Sequence, residues 1–439
     1  MASTYLTKTM GNPPGNSRIG TFSFWIKFSG LSTSADKYLF STYENSNNRT
    51  LCKFNTDGAF EFQARSGGNL DLRYDTNRVF RDTNAWYNIV IATDTTQSTA
   101  SNRVKIYVNG VQETSFATST VPSQNVVPHY LYGGIVRYIG VYGDNLIDKW
   151  DGLMSYVAFI DGTQELPTVF GETDSTTGEW KIKTTITPSS AWGDNGYLIL
   201  KDGNSVTDQS GEGNNFTVNG TLTKTEDNPS NVFATYNPLI PNTGNLTFSN
   251  GNTTITDSVG SGSWTQTYGV STLGMTSGKY YAETKVINIG TDQVYPLGLI
   301  KDIESTAITT SVGSQSNPGI AYYSDGRIIS NGNDVQTGLH NLSGNGDIIG
   351  LAFDATNGTA QWYRNGATLG TQVTGLSTTG TWYFVSNGYQ DNVLSANFGN
   401  GYFGTTAVSS AGTNASGNGI FEYDTPTGYT ALSTKGLNL

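Results

Sequence analysis

The side chains able to do chemistry are few and scattered. Only two histidines occur in 439 residues, His129 and His340, one in each half. Neither has a Cys or a second His nearby at metal-ligand spacing. Cys52 is the sole cysteine, so no internal disulfide forms. Between Leu51 and Lys53-Phe54 it reads as a small buried strand residue. Glycoside hydrolysis needs two carboxylates around the scissile bond, one protonated and one ionised. The nearest matches are Glu172-Thr173-Asp174 and Glu422-Tyr423-Asp424. Both lack a third acid at the right distance and lie among turn formers, so both read as solvated loops. No Gly-x-Ser-x-Gly elbow leads into a helix. Gly274-Met275-Thr276-Ser277-Gly278-Lys279-Tyr280 is one residue short of a phosphate loop and has Tyr after its Lys, which predicts a turn before a strand. Asp202-Gly203-Asn204 and Asp208-Gln209-Ser210-Gly211-Glu212 crowd oxygen ligands together. The sixth and twelfth positions of an EF-hand would fall on Thr207 and Gly213, so that motif fails. An irregular calcium site there is the alternative to plain turn geometry. The expectation is no catalytic or metal residue, with calcium as the one cofactor left open.

Binding through rings and amides suits the composition better. Aromatic residues make up 12% of the chain, with 25 Tyr, 19 Phe and 8 Trp, almost matching the 13% that are charged. Aromatic faces pack on the apolar faces of sugar rings, while amides and carboxylates satisfy the hydroxyls. Tyr130, Tyr132, Tyr138 and Tyr142, followed by Asp144 and Asn145, offer that mixture near a strand end. Tyr322, Tyr323 and Asp325 offer it again, as does Tyr389 beside Gln390 and Asp391. The plainer reading of each tyrosine is half-buried strand structure. A net charge of −11 argues against nucleic acid, whose phosphates are held mainly by Lys and Arg. The start, Met1-Ala2-Ser3-Thr4-Tyr5, lacks the basic and apolar regions of a secretion signal. No apolar run approaches the roughly 18 residues that cross a bilayer, so no membrane insertion is expected. Triplets such as Asn215-Phe216-Thr217 arise by chance in so Asn- and Thr-rich a chain.

The elements that would position these residues are strands. Disorder is excluded by the aromatic content, and 53 Gly among Asn, Ser and Thr point to many tight turns. Period two dominates. In Thr21–Phe28 one face carries Phe22, Phe24, Ile26 and Phe28, the other Ser23, Trp25 and Lys27. Further strands are predicted at Ala85–Thr93, Val104–Val108, Tyr130–Tyr142 and Ser155–Ile160. Asn109-Gly110 after Val108 is a type I′ hairpin signal. Turn formers and prolines over 202–240 mark a connection, partly ordered through Val232, Phe233 and Tyr236. Beyond it Tyr280, Ala282, Thr284 and Val286 share a face opposite Tyr281, Glu283 and Lys285, and Ile349, Leu351 and Phe353 form another. Asn88–Asp94 followed by Lys105–Gly110 parallels Asp347–Asp354 followed by Gln361–Gly366. The halves therefore read as two versions of one architecture: an all-β chain of two tandem antiparallel β-sandwiches of jelly-roll type, at 1–222 and 241–439, joined by 223–240.

On these residues the first half resembles the laminin-G-like, concanavalin A-like sandwich, through Thr21–Phe28, Trp86-Tyr87-Asn88 and Lys105–Gly110. The second half resembles a SPRY domain. Its landmarks run in order: Gly278–Glu283, Gly319–Tyr323, Gly346–Asp354, Gln361–Gly366, Ala396–Gly399 and Thr425–Leu432. With Asp227–Leu239 between two sandwiches, the chain resembles structural proteins of tailed bacteriophages, marine ones especially. That resemblance implies a virion protein made in the host cytoplasm and exposed on the particle as a tail fibre, tail appendage or head fibre. It implies a non-enzymatic homo-oligomer contacting other virion proteins and a host-surface glycan or receptor, since repeated weak sites act by effective concentration. The rival expectation is a glycan depolymerase, because the concanavalin architecture also carries laminarinase-type glycosidases. Fold alone does not choose between them.

Overall fold

The period-two pattern becomes strands in the computed structural model, paired antiparallel among the described residues except where Tyr280-Tyr281 runs parallel to Thr430-Ala431. The structure describes residues 4–11, 18–30, 34–201, 205–240, 246–258, 267–290, 294–303, 312–313, 319–342, 344–389 and 391–438. Among them there is no α-helix, only short 3-10 turns. The readings at Met1–Ser3, Asp202–Asn204 and Gln390 fall outside the described residues. The chain divides into two units, Met1–Lys224 and Thr225–Leu439.

The first unit contains β1 (Tyr5–Thr9), β2 (Ile19–Phe28), β3 (Lys37–Asn45), β4 (Asn48–Phe54), β5 (Ala59–Ser66), β6 (Asn69–Val79), β7 (Tyr87–Asp94) and β8 (Val104–Val108). It continues with β9 (Val111–Gln112), β10 (Phe116–Thr120), β11 (Val136–Ile139), β12 (Gly152–Asp161), β13 (Gly171–Thr173), β14 (Trp180–Ile182), β15 (Tyr197–Ile199) and β16 (Thr217–Asn219). One sheet runs β10-β6-β5-β4-β3-β11-β1-β16 and the other β15-β12-β2-β7-β8-β9. Phe22, Phe24, Ile26 and Phe28 meet Phe40, Cys52, Phe60, Phe62 and Leu72 across the interior. The opposite side of β2 is buried too, because other chain lies over it: Thr21 Oγ1 accepts from the Glu165 amide and donates to the Thr163 carbonyl.

The hairpin β13–β14 sets Trp180 against the same sheet. Its indole donates to Asn88 Oδ1 at 3.2 Å, and a Cβ at Gly110 would sit 2.5 Å from the ring. Gly110 thus serves both the expected turn, with Asn109 at φ 48° and itself at 78°, and this close approach. The strand expected at Tyr130–Tyr142 is shorter: His129–Leu131 form a 3-10 turn and only Val136–Ile139 pair. Gly134 and Gly140, both at positive φ, interrupt the run.

The second unit contains β17 (Leu246–Ser249), β18 (Thr254–Asp257), β19 (Thr267–Val270), β20 (Lys279–Asn288), β21 (Leu297–Lys301), β22 (Gly319–Tyr323), β23 (Arg327–Ser330) and β24 (Asn333–Gln336). It continues with β25 (Ile348–Asp354), β26 (Thr359–Arg364), β27 (Ala367–Val373), β28 (Trp382–Gly388), β29 (Val393–Asn397), β30 (Tyr402–Phe403), β31 (Thr406–Ala407) and β32 (Thr430–Ala431). Its sheets run β17-β18-β29-β20-β25-β26-β27 and β19-β28-β21-β22-β23-β24. Tyr280, Ala282, Val286, Ile349, Leu351, Phe353 and Trp362 pack on Leu297, Leu299, Ile320 and Phe384 from the facing sheet.

The two units share one strand order. The run β12-β2-β7-β8-β9 corresponds to β29-β20-β25-β26-β27, and β6-β5-β4-β3-β11-β1 to β24-β23-β22-β21-β28-β19. Chain order is preserved as well, so each unit is a copy of the other's topology.

From Thr225 onward, the connection expected at 223–240 is built into the second unit. Phe233 bridges to Ser433 and Tyr236 to Ser271, and the buried Tyr236 hydroxyl lies 2.7 Å from Ser386 Oγ. The C-terminal chain covers the outer face of β20: Tyr281, Phe421 and Ala431 form an apolar cluster with Phe233 and Ala352. Within that cover Glu283, fully buried, accepts from the backbone amides of Glu422 (2.8 Å) and Tyr423 (3.0 Å) and from the Tyr281 hydroxyl (3.2 Å). Burial pushes its carboxyl up to about 7, against those hydrogen bonds.

Candidate functional site

On the first unit's large sheet, the residues alternating with the core positions form a polar and aromatic face. Register sets it: Tyr38 pairs with Lys53, Lys53 with Glu61, Glu61 with Asp75 and Gln63 with Arg73. The result is a row of alternating charge. Lys53 contacts Asp36 and lies 3.6 Å from Glu61. Arg73 lies 3.6 Å from Glu61 and 2.9 Å from Asp75, whose carboxylate raises its already high pKa. Glu61 and Gln63 are each only 5% exposed, so they lie down among their neighbours instead of projecting into solvent.

At one end of the row three tyrosines meet. Tyr38 and Tyr142 stack with centroids 5.0 Å apart, and Tyr43 meets Tyr142 edge-on at 5.7 Å. Arg49 Nη1 donates to the Tyr142 hydroxyl at 3.2 Å. Asp144, accepting the Tyr43 proton, holds that phenol above its usual range. Burial pushes the Tyr38 hydroxyl up, with Asp36 adding to it, and Lys53 Nζ stands 5.7 Å from its ring. Tyr43 is partly exposed, whereas Asp144 and Asn145 are exposed. The arrangement presents one fixed ring edge beside a guanidinium and a carboxylate, a set that fits a hydroxylated ring.

The tyrosines predicted from sequence take several places. Tyr130 is completely buried, its hydroxyl 2.7 Å from Thr93 Oγ1. Tyr322 is buried in the second core and donates to the His340 carbonyl. Tyr323 is buried on that sheet's other side and donates to the Val312 carbonyl at 2.7 Å. Tyr389 is 1% exposed. These four rings have no face available to a sugar, because strand alternation drives them into apolar clusters. Tyr132 is partly exposed and packs on the His129 ring. Asp325 is tied to Arg327, 2.6 Å away. Tyr142 and Asp144 come together on the face, where Tyr142 supports and Tyr43 is presented; the Tyr138 ring lies against Gly143 beside them, and Asn145 Oδ1 caps its own turn by accepting from the Ile147 amide. Sequence reasoning missed Tyr43, Arg49, Lys53, Glu61 and Arg73. Their signal was alternation on the polar side of Arg49–Lys53, Glu61–Arg65 and Arg73–Asp75.

A hydroxyl–histidine–acid line exists at Thr42, His129 and Glu44, with Thr42 Oγ1 2.7 Å from Nδ1 and Glu44 Oε2 3.1 Å from Nε2. Thr42 and His129 are fully buried, so no substrate reaches the hydroxyl. Burial lowers the His129 pKa despite Glu44, and the group serves packing. Glu172 and Asp174 pair with Lys181, while Glu422 and Asp424 anchor Ser409 and Thr413. In the loop considered for calcium, Asp208 is occupied by the amides of Leu198, Ser210 and Asn214. Among the described residues, no cluster of three His, Cys, Asp or Glu is placed to hold a metal.

Residues 3–167 match the family of the concanavalin A-like lectin/glucanases superfamily, entirely within the first unit. No curated protein matches the sequence. Among solved structures, the TRIM65 PSpry domain is similar at 16% identity and a TM-score of 0.29, over 37% of this chain and 88% of that one. The SPRY domain of human HERC1 is similar at 18% identity and a TM-score of 0.29, over 34% and 91%. A SAP-like pentraxin from Limulus polyphemus follows at 17% identity and 0.27, over 37% and 71%.

Proposed function

We propose that this chain is a non-enzymatic binding and assembly protein whose first unit contacts a glycan through the Tyr43–Asp144 end of its large sheet. The observation that carries this reading is the assembled set of Tyr43, Tyr142, Arg49 and Asp144. A half-exposed ring is locked there from behind and flanked by hydrogen-bonding groups. The lectin side of the matched superfamily supports it. The setting, a fibre or decoration on a bacteriophage particle working as a homo-oligomer, rests on the resemblance of the linked sandwiches, and SPRY character of the second unit rests there too. A glycan array probed with the full chain tests the binding: hits lost in Tyr43→Ala support it, and silence from the wild type sinks it.

One observation favours a second reading. Glu61 and Asp75 are directly paired across strands, which sets two carboxylates on one face. Lys53 and Arg73 engage Glu61, however, as an ion-pair partner on both sides. Reducing ends released from a polysaccharide by the wild type, and absent with Glu61→Gln, would replace the binding reading with a depolymerase.

A further inference from the structure

The second unit holds a cavity of about 710 Å³ between the turn before β20, the β25–β26 turn and the C-terminal chain. Ser277, Lys279, Thr356, Asn357, Tyr429 and Asn438 line it. Its volume lies in the range of small-ligand sites. Two features set its chemistry. First, among the described residues no Asp or Glu lines it, in a chain of net charge −11, and Lys279 is the one cation in that lining. Second, the Lys279 ammonium stands 5.9 Å from the centroid of the Tyr429 ring. Lys279 also lies 3.4 Å from Asp354, yet its side chain is 44% exposed, which leaves donors for a second anion. Thr356 Oγ1 accepts from the Gly278 amide at 2.9 Å, so its own proton is not used in that bond.

We infer that this cavity binds an acidic saccharide, with a uronate carboxylate on Lys279, a sugar ring against Tyr429, and hydroxyls on the Ser, Thr and Asn side chains. The site shares no residue with the first unit's face, so either can fail alone. The test is isothermal titration of the full chain with tetragalacturonic acid and, as a neutral counterpart, cellotetraose. The acidic probe binds and the neutral one binds at least about tenfold more weakly, as expected for a charge-assisted hydrogen bond. Lys279→Met loses about tenfold in affinity for the acidic probe, and Lys279→Arg recovers part of it. Leu437→Trp, which enlarges an exposed side chain at the cavity without touching Lys279, weakens binding as well. Val111→Ser, at an exposed position of the first unit outside both sites, leaves the titration unchanged. No binding of tetragalacturonate, equal binding of both probes, or full affinity in Lys279→Met overturns the inference.

Discussion

The buried carboxyl of Glu283 makes the attachment of the C-terminal chain depend on pH in a defined direction. Its folded pKa of about 7 lies above the ordinary 4.5, so the folded state holds this proton more tightly than the unfolded one. The stabilisation is complete below the ordinary value and is lost as pH rises through the folded one. At about 1.4 kcal/mol per pKa unit, the loss between about pH 5 and about pH 8 is on the order of 2–3 kcal/mol. Glu283 is fully buried, so no solvent screening discounts this figure. Glu283→Gln removes the titration and keeps an acceptor oxygen for one of the two amides, which bond different carboxylate oxygens in the wild type. The assay is hydrogen exchange over Ser409–Asp424 in both proteins across that range, corrected for intrinsic rates. Opening of the segment in the wild type should become easier relative to the variant by roughly 2–3 kcal/mol as pH rises. A difference that stays flat, or that favours the wild type at high pH, refutes the reasoning. The latter would mean that the amide and hydroxyl donors outweigh burial.

Other expectations concern the first unit. Arg137 is 1% exposed with its guanidinium 4.0 Å from the Phe159 ring centroid, and among the described residues its Nε and Nη1 make no hydrogen bond. In urea denaturation Arg137→Met should therefore match or exceed the wild type, whereas Arg137→Ala, which leaves a void, should cost about 3 kcal/mol. Gly110→Ala should lose about 2–4 kcal/mol by the same assay, from positive φ plus the clash with Trp180. Cys52 is fully buried, and burial raises its thiol well above the usual value. Ellman's reagent should leave it unlabelled until the first unit unfolds, and prompt labelling of the native protein would contradict the packing. On a glycan array Tyr142→Phe, which keeps the stack on Tyr38 but drops the Arg49 contact, should weaken binding less than Tyr43→Ala.

Much of the architecture could be read from the residues because alternation reports burial directly. Phe22, Phe24, Ile26 and Phe28 lie together in the core, as do Ile349, Leu351 and Phe353. Asn109-Gly110 and Asn365-Gly366 both turn with positive φ, which ties the parallel between halves to matching hairpins. The candidate site was less legible. A tyrosine on a strand reads the same whether its ring faces the core or solvent, and Tyr322 and Tyr323 point to opposite sides yet are both buried. The second side is buried because more chain lies over the sheet, and that is set by contacts between residues far apart in sequence. Glu61 and Arg73 gain meaning only from a register that brings β5 against β6, and the bulges there hide that register from simple counting.

The same topology is dressed differently in its two copies. The second unit wraps its own chain around the backs of both sheets, burying Tyr281 with Phe421 on one and Tyr268, Tyr295 and Tyr323 on the other. Among the described residues, the first leaves the back of its large sheet charged and uncapped by any such apolar cluster, apart from the tyrosine corner. Divergence in the two halves should accordingly take different forms. The first half can acquire a new specificity by swapping single side chains along fixed strands. The second is confined to its rim and must remodel loop length and tail path, a slower route that also risks loosening the fold.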